Sequence, residues 1–229
     1  MTFDPDLYPV SLVLAGRPCL VVGGGPVAAR KIAALLRAGA PVTVVAPEAH
    51  RALAVLAADG LFTTPGLPPL TVHLRPYEPG EVAAYRLVVT ATGRVDIDAA
   101  VHADAEAAGI WVNAADDLDH SSFVLPAVAR AGPVSVAVST GGASPALAAW
   151  LRNRLAAVLG PGLGSLAALL ADARADLHAR GISTETVDWA ALLDGPLPTL
   201  VDAGDLDAAR ALLATAVDNA VAGRSGHST

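Results

Sequence analysis

Apolar residues arrive along this chain in two rhythms. Short unbroken runs, Cys19-Leu20-Val21-Val22, Val42-Thr43-Val44-Val45-Ala46, Leu87-Val88-Val89-Thr90-Ala91 and Ile110-Trp111-Val112-Asn113, alternate with segments whose apolar residues recur every three or four positions. Runs of this kind suit strands covered on both faces, and the slower rhythm suits helices. Ile32, Leu35 and Leu36 mark a first helix ended by Gly39. Residues 47–60, through Leu53 and Leu56, mark a second, and residues 96–108, ended by Gly109, a third. Val72 and Leu74 alternate with Thr71, His73 and Arg75, the period of a half-buried strand. Strands alternating with helices predict a parallel sheet whose ligands lie beyond the strands' carboxyl ends.

The rhythm changes after Asn113. Residues 122–130 and 134–138 read as two strands joined by the turn Ala131-Gly132-Pro133, a hairpin. Ser144 then caps a helix with Pro145 in its first turn and Leu147, Trp150 and Leu151 on one face. From there the pattern is helical to about residue 222. The expected organisation is a Rossmann-like parallel-sheet domain over 1–113, a small α/β segment over 114–150, a helical domain over 151–222 and a small polar tail over 223–229, expected to be flexible.

Composition narrows the function. With 229 residues and a net charge of -7, the chain is long enough for a sizeable core and too acidic to neutralise nucleic-acid phosphates. Cys19 is the only cysteine, which excludes a disulfide framework and a Cys-rich metal site. The first residues lack the basic and apolar regions of a signal peptide, so a cytoplasmic location is expected. Residues 131–151 carry a single charge-poor stretch of membrane-spanning length only in appearance. Pro133, Gly141, Gly142, Pro145 and four hydroxyl side chains would put turns and polar groups into lipid.

Chemistry concentrates at the strand ends. After the first strand, Gly23-Gly24-Gly25-Pro26-Val27-Ala28 has the form G-x-G-x-x-A, in which glycines allow a tight turn and close approach of a phosphate. The helix that follows offers free N–H groups at the positive end of its dipole, a setting for a pyrophosphate. Pro47 and Glu48 follow the second strand. Glu48 is either a ribose ligand or a first-turn helix charge, and the lack of an arginine directly after the strand favours NAD over NADP. Thr90, Ala91 and Thr92 end the fourth strand, and Asn113 ends the fifth, so all four are expected cofactor contacts. The segment from Asn113 to Phe123 is the densest in polar groups. Asp116 lies where a carboxylate can take up a proton beside a nicotinamide, whereas Asp117, Asp119 and His120 read as ordinary loop residues. Ser139, Thr140, Gly141, Gly142 and Ser144 form a second glycine-rich turn, either an anion site or a simple joint. Arg30 and Lys31, with Arg152 and Arg154, are candidates to meet substrate carboxylates or are solvated helix charges.

Three blocks together carry a family resemblance. Residues 21–31 around the glycines, Asn113-Ala114-Ala115-Asp116 with Ser122-Phe123-Val124-Leu125-Pro126, and residues 136–145 resemble the precorrin-2 dehydrogenase/sirohydrochlorin ferrochelatase family, found also as the amino-terminal half of siroheme synthase. The resemblance implies a dinucleotide-binding domain, a small dimerisation segment, a helical domain and a homodimer. It implies oxidation of precorrin-2 with NAD⁺, a catalytic role for Asp116, cofactor contacts at Pro26, Val27, Pro47 and Glu48, and substrate contacts in the second glycine turn. Some members then insert iron, so Fe²⁺ or Co²⁺ is a candidate second substrate. No Cys cluster or spaced His pair marks a resident metal site. This chain departs from the family where Gly93-Arg94 replaces a frequent acidic pair, and where Thr140 replaces a serine.

Two other readings compete. A non-catalytic NAD(H) sensor would share the first glycine turn but would not need Asp116. A reductase built on a Tyr-x-x-x-Lys pair is excluded, because Lys31 is the only lysine.

Overall fold

A computed structural model describes residues 7–51, 53 and 68–225. The chain divides into two compact units, Met1–Leu125 with Gly141–Ala143, and Pro126–Thr140 with Ser144–Thr229.

The first unit is built on five parallel strands: β1 (Cys19–Val22), β2 (Val42–Ala46), β3 (Leu70–Leu74), β4 (Leu87–Thr90) and β5 (Trp111–Ala114). Their spatial order is β3-β2-β1-β4-β5, so the order reverses between β1 and β4. Among the described residues, the long helices of this unit are α1 (Pro26–Arg37) and α2 (Val95–Ala108). Alternate residues of each strand point to opposite faces. Cys19, Val21, Val42, Val44, Leu87 and Val89 pack against α1 through Ala28, Ile32, Leu35 and Leu36. Leu20, Val22, Val45, Val88 and Val112 pack on the other side with Val101 and Ala105 of α2. Covered on both faces, the central strands have no polar alternation, as their sequences predict. β3 differs from expectation. As an edge strand it leaves Val72 39% and Leu74 66% exposed. Of the helix expected over 47–60, Arg51 and Leu53 are helical and the rest lies outside the described residues.

In the second unit, β6 (Ala127–Ala131) and β7 (Val134–Val138) form the expected antiparallel hairpin. The first strand is shorter than residues 122–130, because Ser122 instead bonds back to β5 through its N–H to the Val112 carbonyl at 2.8 Å. Helix α3 (Pro145–Ala156) packs on the hairpin and starts as predicted, with the Ser144 hydroxyl accepting from the Leu147 N–H. Four further helices follow: α4 (Leu163–Ala179), α5 (Trp189–Leu193), α6 (Leu197–Asp202) and α7 (Leu206–Ser225). Leu166, Leu169 and Leu177 of α4 meet Leu197 and Val201 of α6 and Leu213 and Val217 of α7 in one core. Helix α7 continues to Ser225, into the stretch expected as a flexible tail; residues 226–229 lie outside the described residues. Among the described residues no helix is long and apolar enough to cross a membrane. Residues 131–151 resolve into the end of β6, β7, a turn and the start of α3.

Leu177 is fully buried at the centre of the helical core. Leu177→Ala is expected to destabilise this unit by about 3 kcal/mol, since the cavity left behind adds to the lost transfer energy. Urea unfolding followed by tryptophan fluorescence checks this, with Trp189 reporting from the same core.

Candidate cofactor and catalytic site

Parallel pairing brings four loop starts to one edge. Val22 is in register with both Val45 and Thr90, and Thr90 with Ala114. Gly23, Ala46, Ala91 and Ala115 therefore leave the sheet side by side, with the β1/β4 reversal between them.

The glycine turn is sterically compelled. Gly23 has a φ of +124°, and a Cβ there would collide with the Ala91 carbonyl. A Cβ on Gly24 would collide with the Glu48 carbonyl, whose loop is also held by the His50 N–H donating to the Gly24 carbonyl at 3.0 Å. Gly25 is different: nothing lies within 4 Å of where its Cβ would be. Helix α1 begins there with Pro26, with no capping side chain and no acidic residue in its first turn. Its orphan N–H groups and dipole thus face open space, which fits an anionic ligand such as a dinucleotide pyrophosphate. Glu48 lies beside this turn with its side chain exposed.

At the end of β4 the hydroxyls of Thr90 and Thr92 turn to Asp98, a residue only 6% exposed in the first turn of α2. Thr92 donates to Asp98 at 2.7 Å and also receives the Arg94 N–H at 3.0 Å. The triad pins residues 91–94 and engages both hydroxyls internally. Sequence reasoning did not single out Asp98. The available signal was a carboxylate in register with the buried positions Val101 and Ala105.

The loop after β5 is braced by side chains. β5 is an edge strand, and its outward N–H groups are satisfied by hydroxyls: Val112 donates to Ser122 Oγ at 2.8 Å and Ala114 to Ser121 Oγ at 2.9 Å. Ser121 in turn donates to the Asp117 carbonyl at 2.7 Å. Asn113 is 6% exposed and donates through Nδ2 to the Phe123 carbonyl, leaving Oδ1 buried without a partner. Asp117 accepts His120 Nδ1 at 2.7 Å and the N–H groups of Asp119 and His120. The hydrogen bond from His120 holds the Asp117 carboxyl below the usual carboxylate range. The His120 ring also meets His102 of α2 edge to face, with centroids 5.4 Å apart.

Asp116 sits at the tip of this loop with a φ of +64°, the one non-glycine residue in the left-handed region among the described residues. Its turn is closed by the Ala115 N–H to the Thr90 carbonyl at 2.8 Å and the Asp117 N–H to the Ala114 carbonyl at 3.3 Å. The residue is exposed to solvent. Lys31 of α1 is half-buried, and burial lowers its ammonium pKa while the charge of Asp116 raises it and Arg30 lowers it. The carboxylate therefore lies within electrostatic reach of α1.

The second glycine turn is locally self-satisfied. Thr140 Oγ1 donates to the Ser144 carbonyl at 3.2 Å and accepts the Ser144 N–H at 3.1 Å. Gly141 and Gly142 are both left-handed, and Ser139 is exposed. Cys19 is buried, which pushes its thiol up to about 11, as for an unreactive core residue. No group of three or more His, Cys, Asp or Glu side chains able to hold a metal is found among the described residues.

Comparison with known proteins agrees with this geometry. Residues 10–127 match the family described as putative NAD(P)-binding, and residues 131–157 match the central segment of sirohaem biosynthesis proteins. The chain is 39% identical over 224 residues to the siroheme synthase of Chromobacterium violaceum, covering 96% of this chain and 46% of that protein. It is 38% identical over 218 residues to that of Methylococcus capsulatus, covering 94% and 44%. The chain thus spans less than half the length of these relatives. Among solved structures, the precorrin-2 dehydrogenase SirC superposes with a TM-score of 0.70 at 25% identity, over 93% of this chain and all of that one.

Two outcomes follow from the local geometry. Gly24→Ala forces the turn away from Glu48 and is expected to weaken NAD(P) binding at least about tenfold, measured by fluorescence titration of the folded variant. Asp117, with its pKa depressed by folding, stabilises the protein above its ordinary value of 3.8 and loses that contribution as pH falls through the lower folded value. Asp117→Asn should accordingly melt below the parent protein at pH 7, with the gap narrowing as the pH falls below 3.8.

Proposed function

The chain belongs to the NAD(P)-binding family that siroheme synthases and precorrin-2 dehydrogenases share, and on that premise we propose that it oxidises precorrin-2 to sirohydrochlorin with NAD⁺. One observation carries the reading: a carboxylate, Asp116, is held on a left-handed turn at the same sheet edge as an uncapped glycine turn. Left-handed backbone at a non-glycine residue costs free energy, and such strain concentrates at functional sites.

The reaction removes two electrons and two hydrogens. When bound, NAD⁺ supplies the hydride acceptor. The chain's own residues do the rest. Gly25 and the first turn of α1 receive the pyrophosphate, and Pro26, Val27, Pro47 and Glu48 border it. Residues 91–92, pinned by the Asp98 triad, shape the nicotinamide end, with Asn113 behind it. Asp116 accepts the proton that leaves the macrocycle, and its solvent exposure lets that proton pass on to water. The products are sirohydrochlorin, NADH and one proton.

The choice of NAD rests on the acidic Glu48 after β2 and on no arginine directly following that strand. The substrate contacts assigned to Ser139, Thr140, Gly141, Gly142 and Ser144 rest on the family resemblance. Fe²⁺ or Co²⁺, where inserted, is a substrate delivered to the macrocycle. A second copy of this chain is the partner we assign to α3, whose Leu147 and Trp150 are 47% and 54% exposed. The lone buried thiol suits the reducing cytoplasm.

Asp116→Asn is the decisive variant, because asparagine tolerates left-handed backbone and keeps the side chain's shape while removing its basicity. Anaerobic NADH formation from precorrin-2 and NAD⁺ should fall at least about a hundredfold, with NAD⁺ affinity unchanged. Undiminished turnover removes Asp116 from the reaction.

A further inference from the structure

Fifteen residues of this chain are Lys or Arg, and Lys31 is the only lysine among them. It lies about one and a half turns into α1. Ala28, Ile32 and Leu35 on one side of it are buried against the sheet, whereas Arg30 is exposed. Lys31 falls between these faces and is half-buried. Helical side chains tilt toward the helix amino terminus, and α1 starts at the glycine turn, so the Lys31 stem leads back toward the strands' carboxyl ends. Its ammonium senses the Asp116 carboxylate. Yet among the described residues no side-chain hydrogen bond or ion pair closes on it.

A partly desolvated cation without a hydrogen-bond partner is unfavourable until an anion meets it. We propose that Lys31 anchors a carboxylate of the substrate beside Asp116, an inference that rests on the tetrapyrrole reading above. Precorrin-2 carries its carboxylates around the macrocycle edge, so a cation next to the proton acceptor fixes which edge enters. The residue type suits the task. A guanidinium here could clamp Asp116 through two parallel hydrogen bonds, whereas an ammonium is a compact charge with three rotatable donors that leaves the acid free. The cofactor's pyrophosphate has its own donors in the first turn of α1, more than a turn away.

Steady-state NADH formation by the full chain tests this with Lys31→Met and Lys31→Arg, alongside NAD⁺ binding to each. Lys31→Met should raise the KM for precorrin-2 about tenfold, with kcat within about twofold and NAD⁺ affinity unchanged. Lys31→Arg, which keeps the charge, should hold KM within about threefold of the parent while kcat falls, because its guanidinium can clamp Asp116. An unchanged KM in Lys31→Met, or a loss of NAD⁺ affinity in its place, overturns the inference. A second measurement needs no variant and no turnover: reductive methylation of the parent protein with and without sirohydrochlorin, read by mass spectrometry. Protection of the single ε-amine supports the anchor, and equal labelling refutes it. If the parent protein forms no NADH from precorrin-2, the dehydrogenase reading fails while the labelling still decides whether Lys31 binds a polycarboxylate tetrapyrrole.

Discussion

The site depends on two missing Cβ atoms. Gly23 lies against the Ala91 carbonyl and Gly24 against the Glu48 carbonyl, so the turn after β1 is wedged between the backbones that follow β4 and β2. Ladder-like bonds hold the wedge: Gly23 donates to Val45, Ala91 to Val22 and His50 to Gly24. Any side chain at either glycine would push these segments apart and re-aim α1. With both absent, the helix starts at the reversal of strand order, its first turn uncapped and its dipole unopposed. The space above Gly25 is therefore a consequence of packing at its two neighbours.

At the other end of the crevice the constraint is a strand edge. Among the described residues β5 has no strand beyond it, and unpaired edge groups invite association with other chains. Ser121 and Ser122 answer its outward N–H groups with hydroxyls, and the Asn113 amide ties down the Phe123 carbonyl. The loop that does this must fold back sharply, and Asp116 occupies the sharpest point. Edge protection and placement of the carboxylate are thus one structural solution.

Charge is distributed to match. Four surface arginines are engaged by acids: Arg75 with Glu81, Arg94 with Asp96, Arg180 with both Asp176 and Asp218, and Arg210 with Asp207. Such exposed pairs contribute little stability. Lys31 stands apart from these pairs, and the carboxylate nearest to it electrostatically is the one assigned to proton transfer.

Periodicity and glycine sterics act over a few residues, so the chain alone determined the four strands with unbroken apolar runs, the hairpin, the Ser144 cap, the glycine turn and the three-block resemblance to a family. It could not place Asp98, which reads as one more helix acid until the turn out of β4 brings the Thr90 and Thr92 hydroxyls onto it. Nor could it tell that residues 122–126, apolar enough for a strand, would serve β5 instead, or that β3 would lie at an edge with Val72 and Leu74 exposed. The left-handed turn at Asp116 and the half-burial of Lys31, which has no ion pair among the described residues, were equally hidden. Each of these depends on which distant segment occupies the neighbouring space, and only the folded chain brings those segments together.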